Sequence, residues 1–246
     1  MLILAVDTST RTGSAALLRD SQVLDEISGY EETPYSTRLF RDVALLQERA
    51  NFQIDQVDLF AVAAGPGSFT GLRVGLTAVK AWAEVHGKPI AAISGLEAIA
   101  SEFLLGEKSK LSETPSACNA RLLAPFLDAR RGQIFGAIYR RISGNAIGLE
   151  LVSDESILSL DEFLELVKGK SPEPIQLVSP TPEVLSANCV GEVLRGMPIA
   201  KVSAALAPAI GRLGFERAKR GDLIDSIRLD ANYVRRSDAE SAWKDG

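Results

Sequence analysis

The 246-residue chain is 46% hydrophobic and 24% charged, an ordinary globular balance, and its length suits one large domain or two small ones. Its net charge of −5 argues against strong nonspecific nucleic-acid binding by this chain alone, because such binding runs on counterion release by Lys and Arg. One histidine, His86, and two scattered cysteines, Cys118 and Cys189, exclude a histidine-rich zinc site and a disulfide framework, while a carboxylate-only magnesium site stays open.

Residues 2–6 (LILAV) form an apolar run that predicts a strand buried on both faces. The start lacks a basic n-region and meets Asp7 early, so it reads as a first strand and not a signal peptide. No apolar run reaches the ~20 residues a spanning helix needs, so no membrane is expected, and with only two cysteines the cytoplasm is the expected compartment. Asp7-Thr8-Ser9-Thr10 then makes a polar turn, 13–18 returns as a strand, and 23–28 completes a meander. A helix is predicted over 36–50, with Ser36 as its N-cap and apolar residues at helical spacing. Strand 57–64 runs into Gly65-Pro66-Gly67-Ser68-Phe69-Thr70-Gly71, then a helix over 72–86 that Gly87 and Pro89 end. A strand at 90–93 and a helix at 95–105 close the first half.

Residues 106–120 are polar and read as a linker. A strand at 122–127 follows, and the line LDARRGQIFGAIY (127–139) echoes VDTSTRTGSAALL (6–18): apolar strand, Asp, polar turn with Gly, small-residue strand. This suggests a repeated meander, although two unrelated hairpins would look alike. Helices at 161–168 and 204–220 and a strand at 175–178 complete the reading, and the last ten residues lack any apolar pattern. The expected domains are 1–106, with helix 204–220 packing back onto it, and a smaller second part of 119–203 and 221–246.

Two stretches carry candidate chemistry. In 61–75 a strand, a glycine loop and a helix start follow one another, an arrangement that aims backbone N–H groups at an anion. Ser68 and Thr70 add hydroxyls and Arg73 a guanidinium, but the order Gly65-x-Gly67-x-x-x-Gly71 is neither a Walker loop nor the dinucleotide fingerprint. The second stretch is Asp7, Thr8 and Ser9, a carboxylate and hydroxyls that suit a magnesium-bound phosphate at the mouth of an α/β sheet. Each also reads as plain architecture: a tight strand-to-helix turn, and an aspartate turn former. Together with the repeated meander they indicate an α/β, duplicated actin-like (sugar kinase, Hsp70, actin; ribonuclease H-like) fold. A Ser-His-Asp triad would have to use His86, and no G-x-S-x-G elbow is present.

LAVDTST, AAGPGSFTGLRVGL, GKPIAAISGLEAIA, LDARRGQIFGAIY and ANYVRRSDAE, in this order, resemble the bacterial TsaB (YeaZ) family over nearly the whole chain. The resemblance implies a role in threonylcarbamoyladenosine synthesis on tRNA, as a non-catalytic subunit beside a paralogous transferase, TsaD, and an ATPase, TsaE. The paralogue holds its metal on H-x-x-x-H; Gly95 and Ile99 stand at the matching positions and cannot ligate through their side chains. No catalytic residue, metal or cofactor is therefore expected, with ATP and magnesium only at an interface of the complex. Tyr35 stands where the family often has histidine, which puts any role of that histidine in doubt.

In the family, the two helices of the first half pair with those of the paralogue. Leu39, Val43 and Leu46 on the first helix and Leu72, Leu76, Val79 and Ala83 on the second are the expected interface stripes. The second helix is apolar on most of its circumference, and such a helix is normally buried all round. A homodimer is expected when the paralogue is absent. The rival reading is a small ATPase or kinase using Asp7, Asp128 and the glycine loop. A third has Arg130, Arg131, Arg235 and Arg236 touching tRNA phosphates within a complex.

Overall fold

The computed structural model describes residues 1–29, 35–110, 120–142, 147–170, 172–186 and 199–234. Arg235, Arg236, Cys118, Cys189, the side chain of Tyr35, most of the expected linker and the last ten residues lie outside the described residues. The chain divides into two units, one of residues 1–95 and 205–246, the other of residues 96–204.

The first unit is built on β1 (Leu2–Asp7), β2 (Ser14–Arg19), β3 (Gln22–Ser28), β4 (Leu59–Gly65) and β5 (Ile90–Ser94), in the order β3-β2-β1-β4-β5. The meander β1-β2-β3 is antiparallel, whereas β1, β4 and β5 run parallel. Parallel neighbours need crossovers. These are α1 (Tyr35–Ala50) and α2 (Phe69–His86). Because β1 is central, all six of its residues are buried, as the continuous apolar run requires. Its alternate side chains go opposite ways. Leu2, Leu4 and Val6 join one core with Leu39, Val43, Leu46, Leu72, Leu76 and Val79.

The other face of the sheet is covered by α6 (Ala207–Arg220). Small residues let this helix come close: a Cβ on Gly211 would lie 2.3 Å from Leu18, and one on Gly214 2.9 Å from Ala61. Its first residue, Ala207, donates its N–H to Ser14 Oγ at 2.9 Å, satisfying one orphan donor of the helix start.

Beyond α6 the chain departs from expectation. The stretch after residue 220 was expected in the second part, but its described portion returns to the first unit. Ile224 and Ile90 exchange backbone hydrogen bonds of 2.9 and 2.8 Å, and Asn232 donates to the Ala64 carbonyl at 2.6 Å. The edge of β5 offers unpaired backbone groups, and the fully buried Leu229 anchors the strap to the core. The division between the units also falls at residue 95, so α3 (Gly95–Lys110) belongs almost wholly to the second unit.

The second unit repeats the plan. β6 (Leu122–Arg130), β7 (Gln133–Arg141), β8 (Leu149–Ser159), β9 (Ile175–Ser179) and β10 (Ile199–Lys201) follow the order β8-β7-β6-β9-β10. The directions match as well: β6-β7-β8 antiparallel, β6-β9-β10 parallel. Between β8 and β9 lies α4 (Leu160–Lys168), started by a capping box between Ser159 and Glu162. A short α5 (Glu183–Ser186) follows β9. Phe126, Phe163, Ile134, Ile138 and Leu177 fill this core. No described helix is long and apolar enough to cross a membrane.

Arg38 was not singled out by sequence. It is only 3% exposed and holds α1 to two strand ends. Its guanidinium donates to the carbonyls of Gly29 (2.6 Å) and Thr12 (2.7 Å), and its Nε lies 3.1 Å from Asp42 Oδ2. A buried guanidinium with a carboxylate and two carbonyls around it meets the condition for burying a charge.

Candidate functional site

The structure brings Asp7, Thr8 and Ser9 against Gly67, Ser68 and Gly71, as both candidate stretches lie at the carboxyl ends of the adjacent strands β1 and β4. This is the point where the strand order reverses, the usual crevice of an open α/β sheet. The contacts, however, are internal. Ser68 N–H donates to the Ser9 carbonyl at 2.8 Å, and Thr8 Oγ1 donates to the Gly71 carbonyl at 2.7 Å. A Cβ would stand 2.6 Å from the Ser9 carbonyl oxygen at Gly67, 2.0 Å from that of Thr8 at Gly71, and 2.4 Å from Thr8 Oγ1 at Gly75. Three glycines are therefore accounted for by the close passage of the first turn over the start of α2. The face they turn to Thr8 and Ser9 is filled by carbonyl oxygens and a hydroxyl of that turn.

Gly65 answers a different demand. Its φ is +120°, a conformation open to glycine, and a Cβ there would lie 2.5 Å from the carbonyl oxygen of Asn232 in the C-terminal strap. The peptide bond from Gly65 to Pro66 is cis. Ser68 caps α2, accepting the Gly71 N–H at 3.3 Å. Thus α2 starts three residues before the expected Leu72. Thr70 and Arg73 are exposed on its first turns. The Arg73 guanidinium lies 3.9 Å over the Phe69 ring, and its Nε donates to Tyr233 Oη at 3.2 Å. Tyr233 was not foreseen, since it is 160 residues away in sequence.

Asp7 is fully buried. Its Oδ1 accepts the Ser9 N–H (2.8 Å) and Oγ–H (2.6 Å), and its Oδ2 has no hydrogen-bond partner. Burial pushes its carboxyl above the ordinary carboxylate range, and the hydrogen bonds from Ser9 and Thr10 pull back against that. Asp128, its counterpart in the second unit, is exposed and accepts the Arg130 N–H at 2.7 Å. Among the described residues no three His, Cys, Asp or Glu side chains gather as a metal site.

The expected interface stripes need correction. Leu39, Val43, Leu46, Leu72, Leu76, Val79 and Ala83 are all buried in the chain's own core, none more than 6% exposed. Helical spacing finds an apolar stripe but does not say which stripe faces the sheet. The apolar side chains left on the outer surface of α1 and α2 are Phe40 (54% exposed), Leu45 and Val85 (77%). Trp82 is half-buried between them and the core, edge-on to Phe40 at 5.7 Å and stacked on Phe60 at 6.0 Å. The exposed Ala44 and Ala81 extend this surface.

Two five-stranded sheets of identical order and direction, each in its own unit, define a duplicated actin-like fold. A solved structure described as YeaZ from Pseudomonas aeruginosa shares it, with a TM-score of 0.71 at 22% identity, over 94% of this chain and 99% of that one. The family model described as TsaD, tRNA N6-adenosine threonylcarbamoyltransferase, matches residues 33–191. The tRNA threonylcarbamoyladenosine biosynthesis protein TsaB of Bacillus subtilis is 30% identical over 99% of this chain and 98% of its own length. The Escherichia coli protein of that name is 31% identical over 57% of this chain and 56% of its own length. The chain belongs to the TsaB family, and its role lies in the biosynthesis of threonylcarbamoyladenosine in tRNA.

The packed turn can be tested by substitution. Gly71→Ala should cost about 3 kcal/mol in urea unfolding, because backbone must shift to admit the Cβ; Gly106→Ala, at an exposed helical position with nothing within 4 Å, should gain about 0.5–1 kcal/mol. Equal effects would contradict the close-passage account. The raised Asp7 carboxyl favours its protonated form in the fold, so its contribution is present below its unfolded pKa and lost as pH rises through its folded one. Asp7→Asn should therefore raise the melting temperature at pH 7, with the advantage shrinking on acidification. A wild type more stable than the variant at pH 7 would contradict this.

Proposed function

We propose that the chain is a non-catalytic subunit of the threonylcarbamoyladenosine-forming machinery, which pairs with the paralogous transferase TsaD and holds it in its active arrangement. The single observation that carries the reading is the apolar outer surface of α1 and α2, with Phe40 and Val85 largely exposed beside Trp82. Exposed large apolar side chains clustered on two neighbouring helices are what an interface needs. The paralogy is supported by the transferase family model, which matches 33–191. A partner of the same fold can present the same two helices in return, so the pairing is a four-helix contact. Without the paralogue, a second copy of this chain can occupy the same surface.

A non-catalytic role is supported by Gly95 and Ile99, whose side chains have no ligating atom, and by the inward-turned Thr8–Ser9 turn. The subunit needs no cofactor of its own; ATP with magnesium, the ATPase TsaE and tRNA meet it only in the assembled machinery.

The test is the double variant Phe40→Glu, Val85→Glu. Neither position is in the core, so the free chain should stay folded and lose about 1 kcal/mol, through the lost Phe40–Trp82 contact. Burying unpaired carboxylates in the pair should weaken association with the transferase about 100-fold, read by calorimetry, and abolish the gain in tRNA modification. Unchanged association and modification would contradict the proposed surface.

A further inference from the structure

The hairpin joining β6 to β7 breaks a local rule. Arg130 pairs with Gln133, which leaves Arg131 and Gly132 as a two-residue turn. Backbone φ is +62° at Arg130, +57° at Arg131 and +73° at Gly132. In this left-handed region a Cβ crowds the following carbonyl oxygen, so such turns favour Asn, Asp or Gly. Arginine gives the backbone no such relief. The ladder shifts register between Asp128 and Arg130, and Asp128 Oδ1 accepts the Arg130 N–H at 2.7 Å, so the aspartate holds the irregular tip. Both arginines are exposed and neither contributes to the core. In the first unit the matching turn, residues 8–13, buries Thr8 and Ser9 and carries one exposed arginine, Arg11. Backbone strain kept at an exposed tip, on a residue type the turn does not want, points to the side chain as the reason for it.

We propose that Arg130 and Arg131 grip the phosphate backbone of tRNA in the assembled machinery. The proposal rests on the tRNA-modifying role above. The chain carries a net charge of −5, which argues against RNA binding by overall charge and favours local contacts. Two adjacent guanidiniums on a fixed hairpin suit that task, because each can hold a phosphate through two parallel hydrogen bonds. Contacts of this kind set the position of a nucleic acid without reading its sequence.

The experiment uses the complete reconstituted machinery with unmodified tRNA and the variant Arg130→Gly, Arg131→Asn, which gives the turn residues it favours. The melting temperature of the variant should be unchanged or higher. The KM for tRNA should rise about five-fold with kcat kept, and the slope of log KM against log salt should fall by about 0.7–0.9 for each phosphate that is no longer held. An unchanged KM and slope would overturn the proposal while leaving the subunit role standing. Weakened binding of the variant to the transferase subunit in the absence of tRNA would also overturn it, since the tip would then touch protein. Equal product with and without this chain would remove the role itself, and the tip proposal with it.

Discussion

The first unit depends on how closely one turn passes one helix. At the end of the central strand β1, Thr8 and Ser9 cross the first two turns of α2 with carbonyl oxygens where side chains would otherwise stand. Gly67, Gly71 and Gly75 make the crossing possible, and the Ser68 N–H and Thr8 Oγ1 hydrogen bonds tie it down. The crossing also buries Asp7, whose one unpartnered carboxylate oxygen is the cost of bringing strand and helix together. Arg38 braces the same turn from the other side, through Thr12. The glycines of the loop serve here as a packing device.

That crossing fixes which way α2 faces. With Gly71, Gly75, Leu72, Leu76 and Val79 turned inward, Thr77, Ala81 and Val85 are turned out, and Trp82 sits at the boundary against Phe40. The apolar surface on α1 and α2 is thus a consequence of the same packing. A helix apolar on most of its circumference covers its own sheet with one side and still carries apolar side chains on the other.

Much of the fold was legible in the sequence. The buried run of β1, the meander, the helices α1, α2, α4 and α6 and the echo between residues 6–18 and 127–139 all follow from apolar period and turn residues, and the echo proves to be a duplication of topology. Missed elements carried weak patterns. β8 has mixed exposure without clean alternation, and β10 has only three residues. The strap over β5 was misplaced because Ile224 and Asn232 bind through backbone groups, which leave no mark on side-chain pattern. The candidate site was found as a place, and the tight packed turn was one of the two readings the residues allowed. Composition shows glycines, but only geometry tells whether they admit a ligand or another stretch of the chain. The interface stripes failed for a related reason, since Leu76 and Val85 are equally apolar and only the sheet decides which is hidden.

The proposed subunit role rests on family, fold and the exposed apolar face of α1 and α2. The most direct measurement is a reconstitution with the transferase, the ATPase, the enzyme that supplies threonylcarbamoyl-adenylate, its substrates and unmodified tRNA, counting threonylcarbamoyl groups on tRNA with and without this chain. The account predicts product only when the chain is present, and none from the chain alone. Product formed equally well without it would contradict the account.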